Sequence, residues 1–200
     1  MRVNGKKVSV TPVAGKYLCI NREWANGDRV ELTLPMSLSM RTWQVNKNSV
    51  SVDYGPLTLS LKIAEKYVEK DSRETAIGDS KWQKGADSKK WPTTEIYPDS
   101  PWNYSLVLDK REPLKNFKVI RKSWPADNYP FTATSVPLEV KAIGRPVPEW
   151  KIDETGLCGV LPEEDAMKGD KEEITLIPMG AARLRISAVS YTHLRAHETR

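Results

Sequence analysis

The sequence predicts an all-β protein: an antiparallel β-sandwich, jelly-roll-like, with a second β-rich unit inserted into it. Three observations carry that expectation. Fourteen prolines are spread through 200 residues, and each forbids a helix interior by removing an N–H and crowding the preceding turn. Apolar and polar residues alternate strictly in several runs, as they do in strands with one buried face. Turn-forming Asn-Gly, Gly-Asp and Gly-Pro pairs separate these runs at intervals of about 8 to 12 residues, the spacing of sandwiches and barrels.

The elements follow in order. Arg2-Val3 and Lys7-Val8-Ser9-Val10 flank Asn4-Gly5, a pair that accepts the two positive φ angles of a type I′ turn, so the chain opens on a hairpin. Tyr17-Leu18-Cys19-Ile20 leads through Trp24 to a turn at Asn26-Gly27-Asp28. In residues 29–34, Val30, Leu32 and Leu34 fall on one face and Arg29, Glu31 and Thr33 on the other, which predicts a half-buried strand that Pro35 ends. Residues 49–54 form the next alternating strand, broken at Gly55-Pro56 and resumed with Leu57, Leu59, Leu61 and Ile63. Residues 66–90 are polar and punctuated by Lys70-Asp71, Gly78-Asp79 and Gly85-Ala86-Asp87. They predict a long loop or domain junction with at most a short helical turn. Residues 102–108 and 117–120 are strand-like, and the proline-punctuated stretch 125–148 predicts short strands at sheet edges. Pro162 followed by Glu163, Glu164 and Asp165 suits one helical turn, with proline first and acids beside the positive end of the dipole. Residues 173–178 and 183–187 are the last two predicted strands.

Composition excludes several function classes. No apolar run approaches the roughly 20 residues of a bilayer span, so no membrane partner is expected, and Met1-Arg2-Val3-Asn4-Gly5 lacks the apolar stretch of a signal peptide. The 31 basic and 26 acidic residues leave a formal charge of +5, but the signs interleave, so nucleic acid is not an expected partner. Cys19 and Cys158 stand far apart without a CxxC pattern, which predicts two unpaired thiols buried as small hydrophobes. Both histidines, His193 and His197, fall in the last eight residues. The string 189–200 resembles the translation of a sequencing adaptor of the kind found at broken ends of metagenomic assemblies, and is set aside as a non-native tail.

Several strings, in order, resemble the C-terminal region of bacterial enzymes of glycoside hydrolase family 127, the β-L-arabinofuranosidase-like proteins. They are Val3-Asn4-Gly5, Trp24 with Asn26-Gly27-Asp28-Arg29-Val30-Glu31-Leu32, Leu34-Pro35-Met36, Tyr54-Gly55-Pro56-Leu57, Pro101-Trp102-Asn103-Tyr104, Pro148-Glu149-Trp150, and residues 173–180 running into 184–188. The resemblance implies an (α/α)6 catalytic barrel followed by β-sandwich domains, one interrupted by the other. On this chain it implies a sandwich from residues 1–65 plus 172–188 and an inserted β-rich region at 66–171. The implied partners are the N-terminal catalytic barrel of the same polypeptide and a plant-derived oligosaccharide.

The family's zinc-bound cysteine nucleophile belongs to that barrel, so no cofactor, metal ligand or catalytic residue is expected in this chain. Two isolated cysteines do not complete a thiolate zinc site. Glu163, Glu164 and Asp165 are adjacent and do not converge on one bond as an acid and base must. A histidine-dependent triad and a phosphate-binding loop lack their residues as well. Seven tryptophans suggest sugar stacking, because an indole presents a flat apolar face and a polar N–H. Trp82 and Trp91 in the polar stretch are the candidates, with Trp102 beside Asn103 and Tyr104. The preferred expectation is blander: Trp24, Trp43, Trp124 and Trp150 fill cores, while Trp82, Trp91 and Trp102 seal the junction with the barrel. Lys81, Lys84, Lys89 and Lys90 around Trp82 and Trp91 are expected to form a solvated loop.

Overall fold

The computed structural model describes residues 1–72, 87–154, 156–162 and 167–186. The described residues are almost wholly β, antiparallel and sandwich-like, with 3-10 turns at Ser88–Lys90 and Met179–Ala181. They fall into two compact units, Met1–Met36 and the chain from Ser37 on. The predicted helical turn around Glu163, the tail with His193 and His197, and Trp82 with its neighbours Lys81 and Lys84 lie outside the described residues.

In the first unit β1 (Arg2–Val3) pairs with β2 (Lys6–Lys7) and with β3 (Val30–Glu31). Asn4 and Gly5 carry φ of 51° and 75°, the positive pair that the hairpin demands. The Asn4 side chain also ties this turn to the next one: its Nδ2 donates to Asp28 Oδ1 at 2.6 Å and its Oδ1 accepts the Arg29 N–H at 2.8 Å. The Ala25 backbone N–H, which donates to Asp28 Oδ2 at 2.9 Å, and then Asn4 Nδ2 hold the Asp28 carboxyl below its ordinary range. The predicted half-buried strand at 29–34 is corrected. Pairing stops after Glu31, and Val30, Leu32 and Leu34 stand 49%, 60% and 71% exposed. Within these 36 residues only Val3 is buried, so no apolar layer receives the stripe.

The second unit is built on a seven-stranded sheet. Its strands are β4 (Leu38–Trp43), β5 (Ser49–Tyr54), β6 (Leu57–Leu61), β9 (Tyr104–Leu106), β10 (Lys118–Arg121), β11 (Leu138–Pro146) and β12 (Glu172–Pro178). Their order is β10-β11-β12-β6-β5-β4, and β9 pairs with the far end of β11. The register places Val52, Tyr54, Leu59, Leu61, Leu176 and Val140 on one face, all buried. Each such side chain contributes about 1.5–3 kcal/mol relative to exposure. The opposite face carries Ser51, Asp53, Ser60 and Glu139, also buried. Polar side chains are tolerated there because they are bonded: Asp53 accepts two bonds from Arg41 at 2.6 and 2.9 Å and one from Thr58 at 2.8 Å.

Three further expectations are corrected in this unit. Residues 66–90 do not begin as a loop: β7 (Glu65–Lys70) pairs along its whole length with β8 (Thr93–Pro98). Polar strands hold together here through cross-strand pairs such as Tyr67 opposite Ile96, and through the Lys70–Glu95 ion pair at 2.7 Å. The stretch 125–148 does not supply edge strands only. It contains β11, a nine-residue strand paired on both sides. Proline removes only its own N–H, and the residues between Pro137 and Pro146 are free of it. Residues 183–186 form no strand; Ile186 instead exchanges bonds with the Ser60 hydroxyl at 3.0 Å and accepts the Leu61 N–H at 2.9 Å.

Candidate functional site

The aromatic candidates separate into two kinds. Trp102, Asn103 and Tyr104 lie together at the start of β9, and the side chains of Asn103 and Tyr104 are bonded within the protein. Asn103 Nδ2 donates to the carbonyls of Val147 at 3.0 Å and Trp150 at 3.2 Å. The Val147 N–H returns a bond to the Asn103 carbonyl at 2.7 Å. Trp102 packs on Trp150 with ring centroids 5.3 Å apart and planes inclined at 60°, an arrangement that ring quadrupoles favour. The Tyr104 hydroxyl is pushed up to about 12 by burial and by its bond to the Glu172 carboxylate.

Trp91 is of the second kind: it precedes β8 and is 70% exposed, while its carbonyl accepts the Ser72 hydroxyl at 2.6 Å. The expectation that Trp24, Trp43, Trp124 and Trp150 are core residues holds for Trp150 alone, which is 4% exposed and donates from Nε1 to the Gly159 carbonyl at 3.0 Å. The other three stand at or near the surface because local partners satisfy them. Arg22 lies 4.9 Å from the Trp24 ring and Arg41 5.2 Å from the Trp43 ring, while Trp43 donates to Ser51 and Trp124 to Asn128. The cysteine expectation is corrected likewise. Cys19 and Cys158 are unpaired, as expected, but both are exposed.

The strongest charge cluster is structural. Glu139 is 7% exposed and accepts from Lys62 at 2.7 Å and Lys122 at 2.6 Å. Burial raises its pKa, but the two ammonium groups outweigh burial, and the net position is below the ordinary value. Among the described residues no group of three or more His, Cys, Asp or Glu side chains is placed to hold a metal ion. These residues therefore do not supply the cysteine-rich zinc centre of the resemblance.

A groove of about 760 Å³ opens beside the foot of the β7–β8 hairpin. Sequence reasoning missed it because its walls come from β6, β7, β12, the loop 132–134 and Arg183, which only the folded sheet brings together. Glu65 is held on its wall by three contacts: Tyr67 donates to Oε2 at 2.5 Å, the Arg183 backbone N–H to Oε1 at 3.3 Å, and the Arg183 guanidinium lies at 3.6 Å. The Tyr67 hydroxyl is raised, first by that bond to Glu65 and then by desolvation.

The compact unit Met1–Met36 has a counterpart among known families. Residues 1–36 match the family model described as β-L-arabinofuranosidase, GH127 middle domain. The match relates this unit to an accessory domain of that glycoside hydrolase family, over 36 of the 200 residues. No curated protein and no solved structure matches the chain.

Proposed function

We propose that this chain is a non-catalytic β-sandwich region of a β-L-arabinofuranosidase-like glycoside hydrolase, supporting an (α/α)6 catalytic barrel in plant glycan degradation. One observation carries the reading. The family match and the first compact unit end at the same residue, Met36. A chance resemblance has no reason to stop at a physical boundary, whereas a domain does. The unit from Ser37 on is then a second β-domain that follows the middle domain, in keeping with the C-terminal resemblance of its motifs. In this reading Asn103, Trp150 and Tyr104 are scaffold, and the zinc chemistry belongs to the barrel.

One long uninterrupted read across the gene tests the proposal. An open frame ahead of Met1 that encodes a helical barrel with clustered cysteines supports it; a genuine start at Met1 refutes it. Measurable glycosidase turnover by the chain alone also refutes it. The exposure of Trp91 favours a second reading, a free-standing carbohydrate-binding β-domain. Quenching of tryptophan fluorescence by arabinan oligosaccharides, lost in Trp91→Ala, would support that alternative.

A further inference from the structure

We propose that the groove beside the β7–β8 hairpin binds a neutral mono- or disaccharide. The inference goes beyond the accessory role and does not depend on a catalytic barrel. Its size fits: about 760 Å³ lies within the roughly 300–1,000 Å³ of small-molecule sites. Its charge selects a neutral ligand. Two cations, Lys62 and Arg183, line it together with two carboxylates, Glu65 and Glu173. An anion would therefore meet both carboxylates and a cation would meet both basic groups.

Its hydrogen-bonding inventory selects a polyol. Each hydroxyl offers one donor and two acceptor positions. Ser100 Oγ accepts the Ala64 N–H at 2.9 Å, and Thr175 Oγ1 accepts from Lys141 at 2.9 Å. Those bonds occupy acceptor positions and leave both O–H donors to a ligand. Thr134, exposed on the far wall, is held at 3.1 Å from Thr132 and keeps further capacity of its own. Hydroxyl donors and carboxylate acceptors thus line one opening, a mixture that vicinal hydroxyls match. Tyr67 adds an aromatic wall: the residue is 51% exposed, with the Arg183 guanidinium 6.0 Å from its ring centroid. A sugar's C–H face stacks on such a ring. The bonds of Glu65 to Tyr67 and Arg183 fix this wall in advance, which lowers the ordering cost of binding.

The test is isothermal titration of the 200-residue chain with arabinobiose and xylobiose, with glucuronic acid and glucosamine as charged comparators. The neutral disaccharides are expected to bind. Tyr67→Ala and Thr134→Ala should each weaken Kd about tenfold, or ~1.4 kcal/mol, with Trp91→Ala unchanged. Thr134 is exposed, so its variant keeps the test valid should Tyr67→Ala fail to fold. Hydrogen exchange supplies a second readout, with protection expected at the amides of 132–134. No binding by either disaccharide, tighter binding of a charged comparator, or Kd values insensitive to both groove variants would overturn the proposal. Loss of binding in Trp91→Ala alone would overturn it too, by moving the site to the tryptophan.

Discussion

Gly144→Ala offers a sharp test of the core geometry. Gly144 lies on β11 opposite Leu106 of β9 and Glu172 of β12. A Cβ there would fall 2.9 Å from Ile174 Cδ1, 3.0 Å from Cγ2 and 3.3 Å from Cγ1. Carbon atoms settle about 3.5–4.0 Å apart, so Ile174 must retreat by about half an ångström or more. Ile174 is 6% exposed, and overpacking of this kind costs about 1–3 kcal/mol. Ile174→Ala alone removes the three crowding atoms and should cost about 2–5 kcal/mol in lost burial and cavity. In the double variant the added methyl meets no clash and partly refills the vacated space. The two costs should then fall short of additivity by about 1–3 kcal/mol, a coupling expected of residues in contact. Urea unfolding followed by tryptophan fluorescence measures all four corners of the cycle, Trp150 being a buried reporter in the same unit. Additive costs, or a neutral Gly144→Ala, would refute the register that places this glycine over Ile174.

Four other outcomes are expected. Glu139→Gln breaks two ion pairs, but its lysine partners are 32% and 41% exposed and water recovers them, so the loss at pH 7 should be about 1–2 kcal/mol by denaturant titration. The folded pKa of Glu139 lies below its ordinary 4.5; its contribution is therefore full above pH 4.5 and fades as pH falls through the folded value, and the gap between wild type and variant should close on acidification. Asn103→Ala leaves the Val147 and Trp150 carbonyls without their side-chain donor, a cost of about 1–3 kcal/mol visible as a lower Tm. Cys19 and Cys158 are exposed thiols, so the folded chain should react with two equivalents of a disulfide reagent before any denaturant is added; slow, denaturant-dependent reaction would contradict the structure. The exposed Val30, Leu32 and Leu34 should drive concentration-dependent self-association in sedimentation runs, reduced by Leu32→Lys.

Where local chemistry decides conformation, the sequence was legible. Asn4-Gly5 and Gly55-Pro56 sit at turns with positive φ, and the alternation at 49–61 and 173–178 gives strands of the sheet. Where the deciding partner is distant, it was not. Glu65–Lys70 is a strand because residues 93–98 lie beside it in register, and nothing in its own composition announces that. The long strand β11 was hidden by its prolines, although Pro137 only precedes it and Pro146 takes its last position, opposite Tyr104 of β9. The tryptophans misled for a related reason. Arg41 from the same strand and Ser51 from the neighbouring one satisfy Trp43, and Asn128 satisfies Trp124 from the next turn, so neither indole needs a core.

The same distinction separates the family reading from the groove. The relation to the β-L-arabinofuranosidase middle domain resides in contiguous residues 1–36, where a string such as Asn26-Gly27-Asp28 is both a motif and a complete turn. Asn4 bonded to Asp28 and Arg29 shows why the two separated motifs of that unit belong together: one side chain closes both turns. The groove has no such signature. Tyr67, Thr134 and Arg183 carry no motif and meet only because β6, β7, β12 and the loop 132–134 line one groove. Function of the first kind is inherited with the string, whereas function of the second kind arises from the packing. The two therefore answer to different experiments, the gene's flanking sequence for one and the sugar titration for the other.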